Sequence, residues 1–211
     1  MSELTDAYQL ALHHGPLLQG KFSPQKLNFL FVFQVNCPGC FIYGFPVVNR
    51  LYHQFGDRIA FLGLSTAFED FGLNTEENTR KLLEAKTMVG ETRRVFEEQQ
   101  IFTYPQAIDF PVAMDEKAGD SFDWEPSVER ICGLNPQYHH RPAAEKARYK
   151  KSVGNYLSNL EQVSLTFTLN QLKGTPSLIL FDEHYRIRFY HFGHLDTEQW
   201  QREILMHLEG N

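Results

Sequence analysis

Leu27-Asn28-Phe29-Leu30-Phe31-Val32-Phe33 runs on through Gln34-Val35-Asn36 into Cys37-Pro38-Gly39-Cys40, and the reading of this stretch decides the fold. An almost unbroken apolar run of this length reads as a strand buried on both faces, as in a parallel sheet. The next segment reads as helix: Val47, Val48, Leu51, Tyr52 and Phe55 recur at helical spacing before Gly56-Asp57 closes the element. The cysteine pair therefore stands at a strand-to-helix junction. There the first main-chain N–H groups have no partner inside the helix and point toward the Cys37 side chain, which favours thiolate over thiol. A Cys-x-x-Cys pair in that setting is suited to redox chemistry.

Outward from the motif the pattern alternates. Ile59-Ala60-Phe61-Leu62-Gly63-Leu64 is a second buried strand, and it runs into Ser65-Thr66-Ala67-Phe68-Glu69-Asp70, where open α/β sheets bind ligands. Thr75-Glu76-Glu77-Asn78 starts a helix that continues through Gln99 with a break near Gly90. Ala107 to Met114 offers a short third strand. The segment of about 116–172 holds Gly119, Pro126, Gly133, Pro136 and Pro142, then Val153, Tyr156, Leu157 and Leu160 at helical spacing, and is expected to be a largely helical insertion. Its run Glu145 to Lys151 reads as a solvated helix face. Gly174-Thr175-Pro176-Ser177 opens the strand Leu178 to Phe181, and a second strand from Arg186 to His191 makes an antiparallel hairpin with it. Asp196 to Leu208 reads as a terminal helix with Trp200, Ile204, Leu205 and Leu208 on one face. Upstream, Leu4 to His13 has weak helical periodicity before a Gly15-Pro16 breaker, and Lys21 to Lys26 reads as a loop.

Composition narrows the function. The 211 residues are 42% hydrophobic, with 18 Phe, 9 Tyr and 2 Trp, which is ample for one packed domain spanning 1–211 without disulfide staples. A formal charge of −6 gives no electrostatic reason to expect nucleic acid or an anionic membrane as partner. No stretch approaches the ~18 apolar residues of a membrane span, and the first residues lack a signal peptide's charged and apolar regions. The cytoplasm is the expected location. Three cysteines argue for reduced thiols in a reducing compartment, with Cys132 a small buried hydrophobe.

Strand, redox helix, strand, helix, strand, insertion, hairpin and helix, in that order, make an α/β chain with a central mixed sheet flanked by helices. The pattern resembles the thioredoxin fold. Cys37-Pro38-Gly39-Cys40 follows the first central strand, Pro46 interrupts the redox helix, and Thr175-Pro176 precedes a buried strand where that superfamily has its cis-proline. The closer likeness is to the TlpA-like and redoxin branch, on Phe61 to Thr66, Ser177 to Asp182, Phe45-Pro46, Val112 to Asp115 and His194-Leu195-Asp196. Three departures stand out. Asn36 occupies a position that is commonly Trp. Pro46 falls six residues after Cys40 where relatives have five, which points to a bulge or irregular turn. Phe31 stands where thioredoxin carries a buried aspartate.

The resemblance implies a thiol-disulfide oxidoreductase in which Cys37 attacks, Cys40 resolves, and the Cys37–Cys40 disulfide is the redox group without further cofactor. Pro38-Gly39 would set helix-start geometry, Thr175-Pro176 would face the cysteines and pair with a peptide substrate, and Glu69 is the candidate acceptor of the Cys40 proton. The implied substrates are disulfide-containing proteins or low-molecular-weight thiols, recharged by a thioredoxin or glutathione system. Three other readings compete. A redoxin-type peroxidase needs a proline and a hydroxyl where this chain has Leu30 and Gln34. A zinc site would have to recruit Cys132, His139 and His140. A binding module would keep the fold without turnover.

Overall fold

A computed structural model describes residues 9–119, 122–194 and 196–209. Its strands are β1 His14–Gln19, β2 Leu27–Phe33, β3 Ala60–Ser65, β4 Val112–Asp115, β5 Ser177–Asp182 and β6 Ile187–Phe192. They form one sheet in the order β1-β4-β3-β2-β5-β6. β2, β3 and β4 are parallel, β5 and β6 return antiparallel on one side, and β1 lies antiparallel to β4 at the other edge. A π-helical turn, Cys40–Gly44, leads into α1 Phe45–Phe55, followed by α2 Glu76–Ala85 and α3 Gly90–Glu97. Between β4 and β5 stand α4 Trp124–Gly133, a 3-10 turn Tyr138–His140, α5 Ala143–Ser158 and α6 Leu165–Leu169; α7 Thr197–Glu209 ends the described chain.

Alternation along β2 sorts its side chains by shape. Phe29, Phe31 and Phe33 pack on one face of the sheet with Val48, Leu51, Phe110, Trp200 and Ile204, whereas Leu30 and Val32 pack on the other with Leu62, Leu64, Ile179 and Phe181. The aromatic face is tight. A Cβ at Gly63 would stand 2.6 Å from the Phe110 ring, and one at Gly44 2.6 Å from the Phe31 ring, so both close approaches depend on glycine. Phe31 thus fills its position with packing against Phe33, Phe45 and Phe110 and leaves no acid there. A third cluster, including Ile131, Cys132, Tyr138, Val153 and Leu157, lies among the helices between β4 and β5.

Three expectations need correction. Gly15-Pro16, read as a breaker, belongs to β1. Proline is tolerated there because β1 is an edge strand with irregular pairing to β4, so its missing N–H breaks no essential ladder bond. Of the helix expected over Leu4 to His13, residues 4–8 lie outside the described residues, and Gln9 to His13 is not helical. Its main chain pairs outward instead: Leu10 N donates to Tyr185 O, Ala11 pairs through both main-chain groups with the Asn170 amide, and His13 does so with the Thr166 hydroxyl. The third strand is shorter than Ala107 to Met114, starting only after Pro111.

One buried acid ties the helices before β5 to the sheet. Asp115, at the end of β4, accepts from the Thr66 hydroxyl at 2.8 Å and from the N–H groups of Thr166 and Phe167, 2.8 and 3.0 Å away, at the start of α6. Those are orphan donors of a helix N-terminus, and a carboxylate is their natural partner. Burial nevertheless outweighs these bonds and raises the Asp115 pKa from 3.8 to about 6.

Candidate active site

β2 ends at Phe33, the chain turns through Gln34–Asn36, and Cys37 caps the redox helix. Its sulfur accepts from the Cys40 N–H at 3.3 Å, three residues on, as a capping side chain does. Pro38 comes next, at the first helical position, where its fixed φ suits the helix and its missing N–H costs nothing. The Cys40 Sγ lies 2.6 Å from the Cys37 Sγ, and both are thiols. Cys40 is sealed in the aromatic core, while Cys37 is partly open.

The two thiols are pulled in opposite directions. Cys37 is lowered from 9.0 to about 7, first by the hydrogen bond from Cys40, against the opposing effect of burial, and then by the Thr175 side chain and the N–H groups of Cys40 and Gly39. Burial and the neighbouring Cys37 push Cys40 well above a free thiol. The leading cause differs from the expectation based on helix N–H groups alone; here the partner sulfur is the stronger donor. Cys37 is therefore the more readily ionised thiol of the pair.

The strand-to-helix and β5 sides of the site meet at the cysteines. The Thr175–Pro176 peptide is cis, and the Thr175 carbonyl stands 3.5 Å from the Cys37 Sγ. A Cβ at Gly39 would lie 3.8 Å from Pro176 Cδ, so Gly39 and Pro176 pack side by side. Glu69 is different. It is exposed on the loop after β3 and enters the site's bonding through its main-chain carbonyl, which accepts from the Gln34 and Asn74 amides at 3.4 and 2.9 Å.

Two polar residues that stand out in the sequence only as departures carry this architecture. Gln34, 2% exposed, accepts from the Thr175 hydroxyl at 3.1 Å through Oε1 and reaches the Glu69 carbonyl through Nε2, joining the two loops that flank the cysteines. Asn36 donates to Asp70 Oδ2 at 2.7 Å and to Asn74 Oδ1 from its main chain, and accepts from the Glu91 N–H at 2.6 Å. For Gln34, an amide at the end of an apolar run, where water is excluded, was the available signal, because such groups persist only when bonded.

The irregular turn expected from Pro46 is the π-helical turn Cys40–Gly44, closed by a bond from the Phe45 N–H to the Cys40 carbonyl five residues back. Continuing that register would pair the Phe41 carbonyl with residue 46, but proline has no N–H. The buried Tyr104 hydroxyl supplies the donor, at 3.0 Å from Phe41 O.

Cys132 is far from this constellation in environment, sealed in the helical cluster with Ile131 and Tyr138. Among the described residues no group of three or more His, Cys, Asp and Glu is arranged to hold a metal ion. Among them, too, no helix is long and apolar enough to cross a membrane.

No family model matches the chain, and no curated protein sequence matches it. Solved structures do. A thiol-disulfide isomerase from Corynebacterium glutamicum superposes with a TM-score of 0.58 at 20% identity, covering 96% of this chain and 97% of its own. A thioredoxin-like superfamily protein superposes with a TM-score of 0.59 at 22% identity, with the same coverage of both chains. The fold of this chain is thioredoxin-like, and the helices between β4 and β5 fall inside the matched length.

Proposed function

We propose that the chain is a thiol-disulfide oxidoreductase, with Cys37 as nucleophile and Cys40 as resolving thiol. The observation that carries this reading is a pair of adjacent sulfurs with opposed proton affinities, one partly open and one sealed. The Cys37 thiolate attacks one sulfur of a substrate disulfide; that S–S bond breaks, a mixed disulfide forms, and the departing thiolate takes a proton. Cys40 then gives up its proton and attacks the Cys37 sulfur, releasing the second substrate thiolate and leaving a Cys37–Cys40 disulfide. Two electrons have passed to the substrate, and a thioredoxin- or glutathione-type donor restores the dithiol.

Pro38, Gly39, Thr175 and Pro176 form the surface on which the substrate lies in this reading, and Glu69 takes the Cys40 proton. The resemblance to the TlpA-like and redoxin branch supports the assignment, as does the thiol-disulfide isomerase among the structural relatives. Protein disulfides and low-molecular-weight mixed disulfides are the proposed substrates, and the cysteine usage favours the cytoplasm and reductive work. A peroxidase is disfavoured, because Gln34 engages Thr175 and the Glu69 carbonyl where that chemistry needs a hydroxyl. Turnover of insulin or a glutathione mixed disulfide is expected for the native chain and lost in Cys37→Ser. Equal rates for the two proteins would refute the assignment.

A further inference from the structure

The π-helical turn has a second effect, on the outer side of the redox helix. Most of the chain's large apolar side chains are buried, yet Ile42 and Tyr43, consecutive residues within that turn, are 40% and 46% exposed. They form one wall of an open groove of about 480 Å³, continued along α1 by Pro46 and Val47. The opposite wall is the segment leading into α7, where the His194 ring lies 4.6 Å from the Tyr43 ring.

The groove's lining does not include the cysteines, and Pro176 connects the two. Gly39 and Gly44 both approach Pro176, whose carbonyl accepts from the Gly193 N–H at 2.9 Å, one residue before His194. From Cys37 to Tyr43 the helix rises about 9 Å at ~1.5 Å per residue, the reach of about three extended residues. Charge marks the rim. Arg50 is engaged with the Thr197 hydroxyl at 3.3 Å, while Asp196 and Glu198 are both exposed, so the groove carries more negative than positive charge. Asp196 Oδ1 caps α7 by accepting from the Gln199 N–H at 2.8 Å.

We infer that this groove is a substrate subsite that selects protein disulfides in which a bulky apolar residue, next to a lysine or arginine, stands about three positions from the reacting cysteine. The apolar side chain covers Ile42 and Tyr43, and the cation meets Asp196 and Glu198. Both residues of this wall belong to the π-helical turn Cys40–Gly44. This inference rests on the oxidoreductase reading and names its substrate class.

The test uses peptides whose single cysteine is a mixed disulfide with glutathione, carrying Leu-Arg, Leu-Glu or Ser-Glu beginning three positions away, in separate amino-side and carboxyl-side versions. The native chain should favour Leu-Arg over Ser-Glu by about tenfold in kcat/KM, through KM. The double variant Ile42→Ser, Tyr43→Ser should bring the Leu-Glu to Ser-Glu ratio, which reads the apolar contact alone, close to one, and Glu198→Lys should invert the preference between Leu-Arg and Leu-Glu. A Leu-Arg to Ser-Glu ratio near one in the native chain, or a Leu-Glu to Ser-Glu preference that survives in the double variant, overturns the inference. If the double variant does not fold, the native ratio and the Glu198→Lys inversion decide. Hydroxyethyl disulfide, too small to reach the groove, separates the two levels. If native chain and Cys37→Ser turn it over equally, the oxidoreductase reading fails; if only the native chain does and the peptide ratio is one, the groove alone fails.

Discussion

Removing the Cys40 thiol should cost Cys37 its main source of acidity. The Cys40 side chain is the largest influence lowering Cys37 to about 7, burial works against it, and the remaining hydrogen bonds from Thr175 and the main chain are smaller. In Cys40→Ala that largest influence is lost, so the Cys37 pKa is expected to rise from about 7 toward the free-thiol value of 9.0. Two units correspond to about 3 kcal/mol of differential stabilisation of the thiolate. At pH 7 the thiolate fraction falls from about one half to about one in a hundred, roughly fiftyfold. The more basic thiolate is intrinsically more nucleophilic by about eightfold over two units, so the reaction rate falls by about sixfold.

Iodoacetamide labelling of Cys37, read site by site by mass spectrometry across pH 5 to 10, measures this directly. The inflection should move from about 7 to about 9, and the variant should overtake the native chain at the alkaline end. Cys40→Ser is the control, because its hydroxyl keeps a donor in place and should hold the inflection below 9. An unchanged inflection in Cys40→Ala would show that the helix N-terminus, and not the neighbouring thiol, acidifies Cys37.

Two further perturbations address the frame around the site. Asp115 is raised to about 6 when folded against 3.8 when unfolded, so between those values the native state holds the extra proton, and stability falls as pH rises through the window. The cost, of order 3 kcal/mol above pH 6, should vanish from the pH profile in Asp115→Asn; a chemical-denaturation series from pH 4 to 7 that keeps the same slope in the variant would refute this. Tyr104→Phe leaves the packing intact but strips the Phe41 carbonyl of its donor, and should destabilise the chain by about 1–3 kcal/mol. An unchanged urea midpoint would mean that the π-helical turn satisfies that carbonyl in another way.

The elements that sequence pattern exposed are those whose periodicity is set by the core. β2 shows as an apolar run because neighbouring strands and covering layers bury both its faces, and the redox helix shows because Val48, Leu51 and Phe55 must reach the same sheet. Thr75 was legible as a helix start for a local reason: its hydroxyl accepts from the Asn78 N–H at 3.1 Å, three residues on. β1 was hidden because an edge strand needs only one ladder and tolerates Gly15 and Pro16. The stretch before it was hidden because its partners, Asn170 and Thr166, are more than 150 residues away in the chain. Local pattern carries no trace of a bond that only the folded chain closes.

The candidate site divides along the same line. Cys37, Cys40 and the Thr175-Pro176 pair were visible because each is a rare residue type at an informative spacing, and the six-residue interval to Pro46 announced the irregular turn that the structure has. Gln34 and Asn36 were visible only as departures, because an amide has no chemistry of its own to advertise and acquires meaning from its bonding partners. Those partners come from the loop after β3, the first turn of α3 and the loop before β5. With Phe31 rather than an acid in the core, the pair itself lowers Cys37: a sealed Cys40 that keeps its proton is the donor that lets Cys37 lose its own. The asymmetry of burial between two residues three apart is therefore what separates their proton affinities, and on the proposed function it would make one sulfur attack and the other wait.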